Sequence, residues 1–200
     1  MTAPPAEFVL RSLDATWDYG RWMALPEDGN RYEVIDGVLY MTTAPSSFHG
    51  WITGRLWRFV GIPTEDAGVA FAYSAPIGVL MPGCDPVQPN FLLVRQERAA
   101  IIRDGRIYGP PDLIVEILSP SNPEHDTETK RRAYARAGVP EYWIIRPATN
   151  DLLLCAQPEP GAGDYAQVRT LPADATLQSP TLPLRVACAD LFAGAPDRTL

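Results

Sequence analysis

Hydrophobic positions in this chain fall into short runs separated by Gly, Pro, Asn and Asp, and one run dominates the pattern. From 111 to 118 the sequence reads Pro-Asp-Leu-Ile-Val-Glu-Ile-Leu, apolar on both faces, with Gly109-Pro110 before it and Ser-Pro-Ser-Asn-Pro after it. Such a run predicts a central strand covered on each side. A helical pattern over 124–137 follows, with Pro123 near its first turn and Gly138 just past its end. Thr127, Lys130, Tyr134 and Ala137 share one stripe of that helix, Arg132 and Arg136 another. The strand expected at 141–145 is then reached by a crossover and runs parallel to the first.

Upstream, 31–41 reads as a hairpin turned at Asp36-Gly37, a type I′ signal. A weak, short helix is expected at 14–24, capped near Ser12 or Asp14. Ser46 or Ser47 caps a helix running to about 60, with Phe48, Ile52, Leu56 and Phe59 inward. Residues 68–81 suit a strand pair or one bent strand, and 85–94 a further strand entered through Pro89-Asn90. A charged connection with an Asp104-Gly105 turn spans 96–108. A hairpin at 152–170 and a strand with a closing helical turn in 182–193 complete the chain. The whole of 1–200 reads as one domain, with 1–10 a loose lead-in.

Composition narrows the function classes. Hydrophobic residues at 46 % and charged residues at 20 % are ordinary for a soluble globular domain. Residues 1–8 lack the basic start and apolar core of a secretory signal, and no apolar run is long enough for a membrane span. Cys84, Cys155 and Cys188 are widely spaced with no CxxC, which predicts reduced thiols in the cytoplasm and no zinc site. A net charge of −7 argues against indiscriminate nucleic-acid binding but leaves room for a local basic face.

Two positions stand out chemically. Glu116 sits within the double-sided apolar run, where an unpaired carboxylate would cost several kcal/mol, so it needs a cation, a metal or a raised pKa. Of the 17 basic residues only Lys130 is lysine, and it lies on the inward stripe of the next helix. Lysine offers a compact charge and a tunable pKa that arginine does not. From composition and spacing, a structural Glu–Lys pair and a catalytic one both remain open. Glu33 lies among apolar strand neighbours, where exposure on the polar face is the default. His49, in a first helical turn, is ordinarily solvated. Trp51 and Trp57 read as core residues, with an interface as the alternative.

Several stretches together resemble the Uma2 family of restriction-endonuclease-like proteins. They are Tyr32-Glu33-Val34-Ile35-Asp36-Gly37, Ser47-x-His49, Val87-Gln88-Pro89-Asn90, the 111–121 segment with its Glu-Ile-Leu-Ser-Pro-Ser, and Lys130-Arg131-x-x-Tyr134 leading to Gly138-Val139-Pro140-Glu141-Tyr142-Trp143. The resemblance covers roughly residues 10 to 195. It implies an α/β (α+β) restriction-endonuclease-like fold of the PD-(D/E)XK type, with a mixed central β-sheet flanked by helices and an added β-hairpin near the C-terminus.

It also implies a metal-dependent endonuclease acting on DNA, more readily than RNA, with Mg2+ or Mn2+ as cofactor. Carried over, Glu116 is the acid of the (D/E)XK element, and Leu118 stands where its lysine would be, so Lys130 takes that role. Glu33 matches the extra acid of the first hairpin and His49 the histidine of the following helix. Asn90 stands where the family has an aspartate. Its carbonyl can ligate a hard cation, with Glu116, but brings no charge. Either the site is weakened or inactive, or Glu33 and Glu116 carry the metal between them. Asp112 lies on the face of Glu116 but about 13 Å along the strand, too far to share one ion. Arg131 or Arg132 is expected either to touch phosphate or to form a solvated helix face. A catalytically inactive protein binding nucleic acid or a protein partner is the alternative, and a homodimer is compatible with either.

Overall fold

Alternate residues of the strand Leu113–Ile117 divide between two cores, and this division organises the molecule. In the computed structural model, which describes residues 9–42, 44–119 and 123–200, all five residues of this strand are buried. Leu113, Val115 and Ile117 face a core with Phe48, Ile52, Leu56 and Trp143. Ile114 faces the opposite core with Val79, Leu92, Tyr134 and Tyr142, and the alternation sends Glu116 to that same side.

The strand is central in a six-stranded mixed sheet, whose order is Asp164–Pro172, Asp151–Glu159, Glu141–Arg146, Leu113–Ile117, Phe91–Arg95, Ala70–Ser74. It pairs in parallel with Glu141–Arg146, as the crossover predicts, and antiparallel with Phe91–Arg95. The expected hairpin near the C-terminus extends this sheet at one edge. A second sheet, seven-stranded among the described residues, carries the first hairpin, Arg31–Ile35 and Val38–Thr42. Asp36 and Gly37 turn it with positive φ at both positions, as type I′ requires.

Two stretches are divided between the sheets, 68–81 into two strands, the number of the expected pair, and 85–94 against the single strand expected. Residues 68–81 form Ala70–Ser74 in the six-stranded sheet and Val79–Met81 in the other. Residues 85–94 likewise become Cys84–Val87 and Phe91–Arg95, joined by Gln88-Pro89-Asn90 where the chain passes between sheets. The connection at 96–108 contains a 3₁₀ turn, Gln96–Ile101, and a small hairpin over Asp104-Gly105. The first helix is shorter than expected, Tyr19–Met23, and its N-cap is Asp18, which accepts from the Arg21 N–H; Asp14 instead pairs with the Arg21 side chain at 2.8 Å.

The helix beginning at Ser47 is capped by Ser46 and continues past 60 through a π-helical turn, Trp57–Gly61, to Asp66. Its inward residues are Phe48, Ile52, Leu56, Val60 and Thr64, so Val60 replaces the expected Phe59. Strict four-residue spacing drifts off the face of a 3.6-residue helix, and a wider turn resets it. The helix after the central strand also begins with a π-helical stretch, His125–Lys130, before Arg131–Ala137, and ends at Gly138 with φ 81°. Leucine and aromatic residues from 177 to 192 close the first core, the helical turn there being Cys188–Phe192. All three cysteines are free and buried. No helix among the described residues is long and apolar enough to cross a membrane.

Candidate active site

Glu116 and Lys130 meet. Lys130 Nζ donates to Glu116 Oε1 at 2.9 Å and lies 2.9 Å from Glu33 Oε2 and 3.6 Å from Asp126 Oδ1. The Glu33 contact is a charge contact, since Oε2 has no aligned hydrogen-bond donor. Three elements supply the cluster: the first hairpin, the central strand and the helix packed between the sheets. Glu33, Glu116 and Lys130 are each about 1 % exposed. The first-hairpin glutamate is therefore buried against the strand default, because the helical stretch bearing His125 and Lys130 and the backbone at Gln88 cover the face it occupies.

Each remaining oxygen of the two glutamates is also occupied or nearly so. Tyr134 Oη donates to Glu116 Oε1 at 3.0 Å, and the Asn90 N–H donates to Oε2 at 3.2 Å. The Gln88 N–H donates to Glu33 Oε1 at 2.6 Å. Asn90 Oδ1 in turn accepts from the Ile117 N–H at 2.7 Å. Asn90 and the central strand thus hold each other, which positions an amide carbonyl beside the carboxylate.

The electrostatics follow from one ammonium shared among three carboxyl groups. Burial alone would lower Lys130, but Glu116, Glu33 and Asp126 reverse this and hold it above its usual value. Lys130 is therefore a fixed cation at neutral pH, suited to orienting a ligand rather than taking a proton. Burial raises Glu116, and Asp126 and Glu33 raise it further against the pull of Lys130. For Glu33 burial is outweighed by Lys130, His125 and Arg31, and its pKa is lowered. Burial and the Glu116 charge push Tyr134 well up, so it remains a donor.

Directly beyond this cluster lies a cleft of about 840 Å3, lined by residues that include His49, Gln88, Asn90, Arg31, Tyr32 and Trp22. Gln88 and Asn90 form a floor one residue deep: both border the cleft while their N–H groups hold Glu33 and Glu116. Lys130, Glu33 and Glu116 do not themselves line it. His49 is buried rather than solvated, about 9 % exposed, and its Nδ1 has no partner. Burial and the Arg31 charge lower it to about 4, so it is a neutral imidazole at physiological pH.

His125 belongs to the cluster and was not singled out by spacing. It is 4 % exposed, packs on Tyr40 with ring centroids 4.4 Å apart, and sets Nε2 3.9 Å from Glu33 Oε2. On an α-helix it would stand about 140° from Lys130; the π-helical stretch brings the two to one side. The remaining candidates lie elsewhere. Asp112 pairs with Arg98 at 2.8 Å and Arg95 at 3.6 Å. Arg131 pairs with Asp164 at 3.1 Å, and Arg132 is solvated. Trp51 and Trp57 pack against the first core.

The sequence signature of the Uma2 family, described as "Putative restriction endonuclease", matches residues 18–190. The chain belongs to the Uma2 family. Among solved structures it is similar to a "putative nuclease belonging to DUF820" from Anabaena variabilis, with a TM-score of 0.73 and 18 % identity, over 88 % of this chain and 98 % of that one. That likeness shows a shared fold. No curated protein matches the sequence.

The family places divalent metals in such sites, and the donors here can be tested against that. Among the described residues no group of three His, Cys, Asp or Glu is arranged to hold a metal ion. Glu116 Oε2 carries only the long bond from the Asn90 N–H, and Asn90, whose Oδ1 accepts from the Ile117 N–H, borders the cleft. Three carboxyl groups share one ammonium, with Arg31 as a more distant positive charge. Glu116 Oε2 and Asn90 Oδ1 are hard oxygens of the kind a divalent cation takes, the second of them neutral and already accepting from the Ile117 N–H.

Proposed function

We propose that this Uma2-family protein is a metal-dependent endonuclease that hydrolyses phosphodiester bonds of DNA, with Glu33, Glu116, Lys130, His49 and Asn90 as its site. The observation that carries the reading is the position of the only lysine, buried between Glu33 and Glu116 directly beneath the cleft floor. Glu116 and Asn90 are the residues that would hold Mg2+ or Mn2+. Such an ion, when bound, acidifies water and covers charge developing on the phosphate.

The chain's own groups do the rest. Lys130 stays protonated and fixes the Glu116 carboxylate, with Tyr134 as a second donor. His49, neutral and bordering the cleft, is the imidazole nearest an attacking water there. Asn90 orients both the carboxylate below it and whatever enters above it. Plasmid nicking with magnesium or manganese is the expected activity, abolished in Glu116→Gln and Lys130→Ala variants that remain folded. Nicking by those variants at the wild-type rate would remove the assignment.

The burial of Glu33, Glu116 and Lys130 favours a second reading, a nuclease-fold protein that binds nucleic acid without cleaving it. Calorimetric titration with manganese separates the two. Specific uptake, strengthened about tenfold or more by the added charge of Asn90→Asp, supports the nuclease. No uptake together with no nicking by the wild type decides for the binder.

A further inference from the structure

We propose that the cleft takes an unpaired stretch of a nucleic-acid strand, with a base against the face of Trp22 and a phosphate toward Arg106, rather than a duplex. The proposal rests on the nuclease reading only for the polyanionic nature of the substrate.

Trp22 is held as a platform. Its Nε1 donates to the Tyr32 carbonyl at 2.8 Å, and Tyr19 stacks on it at 5.9 Å. A ring fixed by its edge offers a face to a base without losing rotamer freedom on binding. Arg106 lies 5.6 Å from the centre of that ring, and its buried Nε has no hydrogen-bond partner. A guanidinium over a fixed indole extends the flat wall of the cleft, and its charge suits the phosphate adjoining a stacked base. Asn30 and Gln88 line the same cleft and supply amides for base edges, while Glu27 is the acid there.

Size and charge disfavour a duplex. A volume of about 840 Å3 is that of a small-molecule site, too small to enclose a duplex whose major groove alone is about 12 Å wide. Duplex binding also relies on rows of cations that neutralise phosphates. Here the chain carries −7, and Arg21, Arg95, Arg98, Arg131, Arg136 and Arg146 are each spent on a carboxylate.

Fluorescence anisotropy with the full chain tests this, using a labelled single-stranded thymidine oligomer and the matched duplex, in EDTA so that no cleavage intervenes. The single strand should bind at least about tenfold more tightly than the duplex, and Trp22→Ala and Arg106→Gln should each weaken it about tenfold. Arg58→Ala, on an exposed helical position, should leave binding unchanged. Trp22→Phe, which keeps a stacking face, should retain most of the affinity and guards against a folding defect in Trp22→Ala. Equal affinity for the duplex, or wild-type binding by both cleft variants, would overturn the proposal. Single-strand preference without plasmid nicking would sink the nuclease reading and leave this one standing. Nicking without that preference would do the reverse.

Discussion

Lys130 is the residue on which the interior balance turns. Removing it takes from buried Glu33 and Glu116 the one ammonium in contact with both, so Lys130→Ala should cost about 3–5 kcal/mol in urea unfolding. Lys130→Met with Glu116→Gln should cost less than the sum of the two single changes, because the second removes the charge the first orphans. His49 gives a pH signature of its own. The unfolded chain protonates it near 6.5 and the folded chain only near 4, so the unfolded state binds the extra proton between those values. Its contribution is complete above 6.5 and is lost as pH falls toward 4, on the order of 3 kcal/mol in all. Melting temperatures of wild type and His49→Gln across this window should converge at the acid end; parallel curves would contradict the shift.

At the scale of elements, two π-helical turns do what α-helical spacing could not. The first keeps Phe48, Ile52, Leu56, Val60 and Thr64 on one face, and its close leaves Gly61 against the sheet. A Cβ at Gly61 would come 2.9 Å from Trp57 Cε3, 3.2 Å from Ala72 Cβ and 3.3 Å from Phe91 Cζ. Trp57 is itself held edge-on against Phe91, so it has little room to give. Gly61→Ala should therefore destabilise by about 1–3 kcal/mol despite the better helix propensity of alanine, as thermal unfolding would show. The second π-helical stretch turns His125, Asp126 and Lys130 inward together, which one regular helix would not do.

Across the whole molecule, the C-terminal segment is tied to the main sheet by one buried carboxylate. Glu141 accepts from Trp143 Nε1 at 2.6 Å, Ser179 Oγ at 2.6 Å and Thr181 Oγ1 at 2.5 Å. Its partners are all neutral donors, one two residues on and the others 38 and 40 residues on, so it acts as a clamp rather than an ion pair. Glu141→Ala would leave those donors unsatisfied and should cost about 2–4 kcal/mol. Hydrogen exchange should then quicken at the small sheet Thr176–Gln178 and Arg185–Ala187 before the central strands; uniform exchange across the chain would argue that the segment folds with the sheet regardless.

Much of this was written locally. The double-sided apolar run made Leu113–Ile117 a central strand, Asp36-Gly37 made the hairpin, and a solitary lysine on an inward stripe pointed at Glu116. Those signals are legible because turn chemistry and face periodicity act over a few neighbouring residues. The burial of Glu33 and His49, the inclusion of His125, and the role of Glu141 were not legible. Each depends on packing that neighbouring residues do not decide: the helical stretch of His125 and Lys130 laid against Glu33, the π-helical turn that aims it, and a C-terminal segment folded onto the main sheet. Whether a polar side chain meets water or a partner is decided by what covers it, and covering is a property of tertiary packing alone.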